Sequence, residues 1–131
     1  MPIYSRKISI AANDTKTEEI DVEGDYLTYF RLRFPPGPRG LVKVALFYGI
    51  KQILPYEEST WFYGDNEIIT WEGLWSLPEE RTTLKVKCVN EDNTYPHSVY
   101  VIIKTEYVHD MWIYKLARMI STSVRRMLGW L

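Results

Sequence analysis

The chain of 131 residues is 46% hydrophobic and 25% charged with a formal net charge of −1, which fits one globular domain that buries about two-thirds of its unfolded surface without staples. Its single cysteine, Cys88, excludes an internal disulfide framework, and the balanced charge taken whole argues against a general nucleic-acid binder. Ten Tyr and five Trp are many for this length, so those rings must be buried or used for binding.

The opening "MPIYSRKISIAAND" lacks a charged segment followed by an apolar one, so no signal peptide is expected. Within it "RKISIAA", and after it "TEEIDVE", alternate in polarity around "NDTK", whose Asn13 and Asp14 suit a turn. Two strands follow. "GDYLTYFRLRF" places Tyr26, Thr28, Phe30, Leu32 and Phe34 on one face and Leu27, Tyr29, Arg31 and Arg33 on the other, so the even-numbered face is expected inward. "PPGPRG" then ends the strand as a rigid, exposed loop.

"LVKVALFYG" is almost continuously apolar and reads as a central strand packed on both faces. Gly49 marks a turn before a brief strand, "IKQILP". "WFY-GDN-EIITW" has the signature of a hairpin, because Gly-Asp-Asn supplies the positive φ values of tight connections. "TTLKVKCVN" and "HSVYVIIKTEY" are the last strands, joined by "EDNTYP". About eight short strands without intervening helices predict a mainly β fold, a single antiparallel β-sandwich of jelly-roll type.

From Trp112 the period changes. Trp112, Ile113, Leu116, Ile120, Val124, Met127, Leu128 and Trp130 form an apolar stripe, and Lys115, Arg118, Arg125 and Arg126 a basic patch, of an amphipathic α-helix with Asp110 as its N-cap. Residues 109–131 carry net +3, leaving −4 for the rest. An acidic body and a basic tail suggest two surfaces with different partners. Four cations over a barely spanning length exclude a transmembrane helix. The stripe could cover its own sandwich, a subunit or partner groove, or an anionic membrane surface, for which Trp112 and Trp130 would be interfacial anchors.

No catalytic signature is legible: no GxSxG, Walker A or dinucleotide fingerprint occurs. His97 and His109 lack metal-ligand spacing, so no metal or other cofactor is expected. Asp65, Glu67, Glu91 and Asp92 miss the order of a calcium loop and read as solvated turn residues. Cys88 shares a strand face with Leu84 and Val86 and reads as a small buried hydrophobe. Among Tyr56, Trp61, Phe62, Tyr63, Trp71 and Trp75, the three tryptophans Trp61, Trp71 and Trp75 would be the stacking surface of a glycan-binding platform, against the alternative that they line the core. Nucleic acid is not an expected partner, because aromatic and basic residues are not seen to interleave on one sheet face.

The series "RFPPGPRGLVKVALFYGIKQILP", "WEGLWSLPEE" and "VNEDNTYPHSVYVIIKTEY" resembles short single-domain β-sandwich proteins of archaeal viruses and tailed phages, mostly uncharacterised. The resemblance covers about Ile8 to Tyr107, with Phe34, Pro35, Pro36, Gly37, Gly40, Leu41, Val42, Gly49, Pro55, Asn90, Asp92, Pro96 and His97 as its recurring points. It implies a virion-associated or assembly role by analogy. The reading is therefore a β-sandwich domain over residues 1–108 and a basic amphipathic helix over 109–131, in a non-enzymatic structural or interaction protein, located in a virion or host cytoplasm. Its expected partners are further copies of itself, another virion protein or an anionic membrane surface. A carbohydrate-binding module is the alternative.

Overall fold

The computed structural model describes residues 2–110. Within them nine strands run in the order β1 (Ile3–Ile10), β2 (Thr15–Glu23), β3 (Tyr26–Phe34), β4 (Val42–Tyr48), β5 (Lys51–Leu54), β6 (Phe62–Tyr63), β7 (Glu67–Ser76), β8 (Arg81–Asn90) and β9 (His97–Glu106). They form two antiparallel sheets, β1-β9-β3-β7 and β2-β8-β4-β5, with β6 paired to β4 beside β5. The fold is mainly β, in two open sheets and no closed barrel. One strand beyond the expected eight is the two-residue β6.

Period-two alternation fills the space between the sheets. Ile8 and Ile10 of β1, Val99, Val101 and Ile103 of β9, and Phe30, Leu32 and Phe34 of β3 meet Ile20 and Val22 of β2, Leu84, Val86 and Cys88 of β8, and Val42, Val44 and Leu46 of β4. Phe30 is fully buried and stacks on Phe62 at 6.0 Å between ring centroids, so β6 contributes a core side chain despite its length. Removing the Phe30 ring would cost roughly 3–5 kcal/mol, the scale of Phe-to-Ala changes in packed cores.

Three sequence expectations are corrected. The inward face of β3 is even-numbered only from Phe30 onward: a bulge between Leu27 and Tyr29 shifts the register, so Leu27 is buried and Tyr26 half-buried. β4 is central, between β8 and the β5–β6 edge, but is buried on both faces only around Ala45; Lys43 and Phe47 on its outer face are half-buried. "WFY-GDN-EIITW" is not a hairpin. Phe62 and Tyr63 pair with Val44 and Lys43, whereas β7 pairs with β3 in the other sheet, so Gly64–Asn66 carry the chain from one sheet to the other. Gly49, at φ +57°, does make the tight turn between β4 and β5.

Beyond β9, residues 108–110 have helical backbone. Asp110 therefore lies inside this turn and not at its cap; Asp25 accepts the Val108 N–H through Oδ2 at 2.8 Å, as an N-cap acceptor does. The contact stripe Trp112, Ile113, Leu116, Ile120, Val124, Met127, Leu128 and Trp130 and the basic patch Lys115, Arg118, Arg125 and Arg126 lie outside the described residues. Among the described residues no helix is long and apolar enough to cross a membrane.

Candidate functional site

Most recurring points of the resemblance converge at one end of the sandwich, where the 11–14, 35–41, 64–66 and 91–96 connections meet. Asn90, buried at the end of β8, donates through Nδ2 to the carbonyls of Ile10 (3.3 Å), Ala11 (3.2 Å) and Tyr95 (3.0 Å), and its Oδ1 accepts from the Asp92 N–H at 3.0 Å. One side chain thus ties the β1–β2 turn to the β8–β9 loop. Asp92 Oδ1 accepts the N–H groups of Thr94 and Tyr95, and its Oδ2 lies 2.8 Å from His97 Nε2. The His97 bond, then the Thr94 N–H, holds the Asp92 carboxyl below the usual carboxylate range.

Asp65 does the same for the proline loop. Its Oδ1 accepts the N–H groups of Arg39 (3.1 Å) and Gly37 (2.8 Å), and these two bonds lower its pKa in turn. The two aspartates expected as solvated turn residues are therefore loop anchors. The signal was present in sequence as Asp followed two residues later by Thr94, an Asx-turn spacing, but the pairing of Asp65 with Gly37 joins positions distant in the chain. Ser9, Pro35, Pro36, Pro38, Pro96, His97 and Ser98 line a cleft of about 390 Å³ at this end, with Ser9 and Ser98 hydroxyls bonded at 2.9 Å. Of its polar side chains, Ser9 and Ser98 join β1 to β9 and His97 holds Asp92 of the β8–β9 loop, and Pro36, Arg39 and Tyr95 are exposed at the same end.

The remaining expected positions scatter. Trp71 and Trp75 of β7 face inward and pack against the core, Trp75 beside Tyr48 at 6.2 Å. Trp61 lies on the outer side of the other sheet, where Lys87 Nζ sits 5.9 Å from its ring. The three tryptophans therefore do not share a face. Cys88 is fully buried, and desolvation pushes its thiol up to about 12. His109 is exposed, 2.9 Å from Asp110. Among the described residues no group of three or more His, Cys, Asp or Glu is placed to hold a metal ion.

A second surface was hidden from sequence because it depends on strand order. On the outer face of the β1-β9-β3-β7 sheet the register sets Lys7, Tyr100, Arg33 and Ile68 in one row, Ser5, Ile102, Arg31 and Thr70 in the next, and Ile3, Lys104, Tyr29 and Glu72 in a third. Lys7 Nζ and Arg33 Cζ lie 5.9 and 5.4 Å from the Tyr100 ring, and Lys104 Nζ lies 4.5 Å from that of Tyr29. Aromatic and basic residues do interleave on one sheet face. None of these four cations is ion-paired among the described residues, and the carboxylates of this face, Glu72 and Glu106, sit at the Lys104 end. Ser5, Arg31, Arg33, Tyr100 and Ile102 enclose a hollow of about 200 Å³.

No known family model matches the chain, and no curated protein does. Among solved structures it is similar to the capsid asymmetric unit of cyanophage Pam1 (14% identity, 78% of this chain and 81% of that one, TM-score 0.46). It is also similar to PliG of Aeromonas hydrophila, a periplasmic inhibitor of g-type lysozyme (18% identity, 78% and 86%, TM-score 0.44). A third likeness is to Bacillus endospore appendages, described as disulfide-linked pili (13% identity, 79% and 88%, TM-score 0.39). These neighbours have β-sandwich-like folds.

Proposed function

We propose that this chain is a non-catalytic structural or interaction module of a virus particle or of its assembly, with a jelly-roll body and a C-terminal segment that attaches the body to further copies, to another virion protein or to a membrane surface. The observation that carries the reading is the strand order. Two antiparallel sheets ordered β1-β9-β3-β7 and β2-β8-β4-β5 match the order expected of two interleaved Greek keys, which supports a jelly-roll reading with β6 as a short addition. Viral capsid domains use that architecture, as do lectins, so the warrant is one of fold and is read together with the sequence resemblance.

The local geometry supports a rigid building block. The resembling positions Pro35, Pro36, Gly37, Asn90, Asp92, Pro96 and His97 gather at one loop end that is fastened by side-chain hydrogen bonds. Edge strands β1 and β7 each keep one side unpaired by any described strand, and β7 exposes Ile68 and Leu74. Such edges suit association by strand addition or side-by-side packing. Trp71 and Trp75 are half-buried against the core, which favours this reading over the glycan alternative.

Light scattering coupled to size exclusion tests the proposal on the full chain and on a chain ending at Asp110, which keeps the Asp25–Val108 bond. A full-length oligomer that becomes a folded monomer on truncation is the expected result. Two monomers of equal compactness, with the shorter chain unfolding more easily, would show that the C-terminal segment packs on its own sandwich and would overturn the attachment role.

A further inference from the structure

We infer that the outer face of the β1-β9-β3-β7 sheet binds single-stranded nucleic acid, with Lys7, Arg31, Arg33 and Lys104 taking phosphates and Tyr100 and Tyr29 offering surfaces on which bases stack. The inference does not rest on the assembly proposal, because it uses only the β body and a different surface.

The electrostatic argument comes first. Residues 1–108 carry −4 in total, yet this face collects four cations without a carboxylate partner among the described residues. Lys7, Arg31 and Arg33 occupy adjacent rows with Ser5, Ile102, Tyr100, Thr70 and Ile68 between and beside them, and no acid in either row. Unscreened like charges held on neighbouring strands of a sheet destabilise it. An anion that bridges them removes that repulsion, so the face is complementary to a polyanion.

The aromatic placement selects the polyanion. Tyr100 and Tyr29 stand on β9 and β3, the two middle strands, and Tyr29 is level with Lys104, four residues along β9 from Tyr100. At about 3.3 Å per residue along a strand and about 4.8 Å between strands, the two rings are about 14 Å apart, a span suited to a short run of extended nucleotides. Between them lies the hollow lined by Ser5, Arg31, Arg33, Tyr100 and the apolar Ile102. A flat base with its phosphate fills such a site, through stacking and charge together. An acidic peptide would use the charges and leave the rings and Ile102 idle.

Fluorescence anisotropy of labelled fifteen-nucleotide oligo-dT and oligo-U with the full chain, at 50–200 mM salt, is the test. Four phosphate contacts on a single strand predict a log–log salt slope of about −3. The double variant Lys7→Glu, Arg33→Glu, both at exposed positions, should weaken binding at least about tenfold and flatten the slope by about 1.4, with a denaturation midpoint no lower than that of the unsubstituted chain, because the reversal relieves repulsion with Arg31. Tyr100→Ala should weaken binding roughly tenfold at each salt concentration without changing the slope. Absence of binding by the full chain overturns the inference. So does binding that survives the double variant but disappears in Arg125→Glu, Arg126→Glu, which would move the contact to the C-terminal segment. Displacement by poly-glutamate as effective as by oligo-dT, with Tyr100→Ala silent, would assign the face to an acidic protein instead.

Discussion

Replacing Asn90 by alanine should be among the most damaging single changes at the loop end. The side chain is 1% exposed, and its amide has two hydrogens for three carbonyls: Tyr95 at 3.0 Å takes one, and the adjacent Ile10 and Ala11, at 3.3 and 3.2 Å, share the other. With the Asp92 N–H bond to Oδ1, alanine removes the equivalent of three hydrogen bonds. At about 1 kcal/mol each net, with a larger penalty for any partner left dry, the loss is roughly 3 kcal/mol. For a chain of this size that lowers the melting temperature by about 10 °C. Urea denaturation followed by tryptophan fluorescence measures the first quantity and calorimetry the second. Asn90→Asp sharpens the test. A carboxylate has no hydrogen to give and would face three carbonyl oxygens, so this variant should be less stable than Asn90→Ala at pH 8 and should recover as the pH falls and the acid gains a donor. A loss under 0.5 kcal/mol for alanine, or no pH dependence for aspartate, would falsify the account of Asn90 as the tie between two loops.

Other outcomes follow from the same geometry. Asp92 and Asp65 have folded values below the ordinary 3.8, so their contribution is present above that value and is lost as the pH falls through the depressed one; Asp92→Asn should lower stability at pH 7 and flatten its fall below pH 4 in acid titration. Cys88, buried with its thiol raised to about 12, should react with a thiol reagent only after global unfolding, so a labelling rate faster than unfolding in hydrogen exchange would contradict its position. Trp75→Ala should cost roughly 2 kcal/mol by opening the core edge beside Tyr48, while intrinsic fluorescence across a glycan panel should stay flat; a spectral shift with one sugar would restore the lectin alternative.

Sequence pattern was informative where a strand's environment is set by its own alternation. β8 shows this best: alternation puts Leu84, Val86 and Cys88 on one face, and all three are fully buried. The pattern failed where pairing partners decide. A turn of Gly-Asp-Asn serves a hairpin and a crossing between sheets equally well, so nothing local separates β6 from β7. The β3 bulge moves Leu27 inward through its neighbours β7 and β9, which alternation cannot reveal. Tyr100 and Tyr29 sit among Lys7, Arg33 and Lys104 only because β9 lies between β1 and β3, joining residues nearly a hundred positions apart. Asp92 and His97 lie five residues apart across a turn, but that spacing alone does not distinguish a metal-ligand pair from an aspartate that holds a histidine in place.

The pairing of the first strand with the last has a consequence for synthesis and for handling. Ile3 is opposite Lys104, and the Thr105 N–H donates to the Pro2 carbonyl at 3.1 Å, so the start of the body lies one strand spacing from the root of the segment that follows β9. During translation β1 and β3 wait without the strand that joins them until residues 97–106 have left the ribosome, and the sheet closes only then. A bulky domain fused ahead of residue 2 would stand beside Lys104 and Thr105 at the end of β9, whereas a short peptide joining the two ends of the body would bridge a gap the fold has already closed.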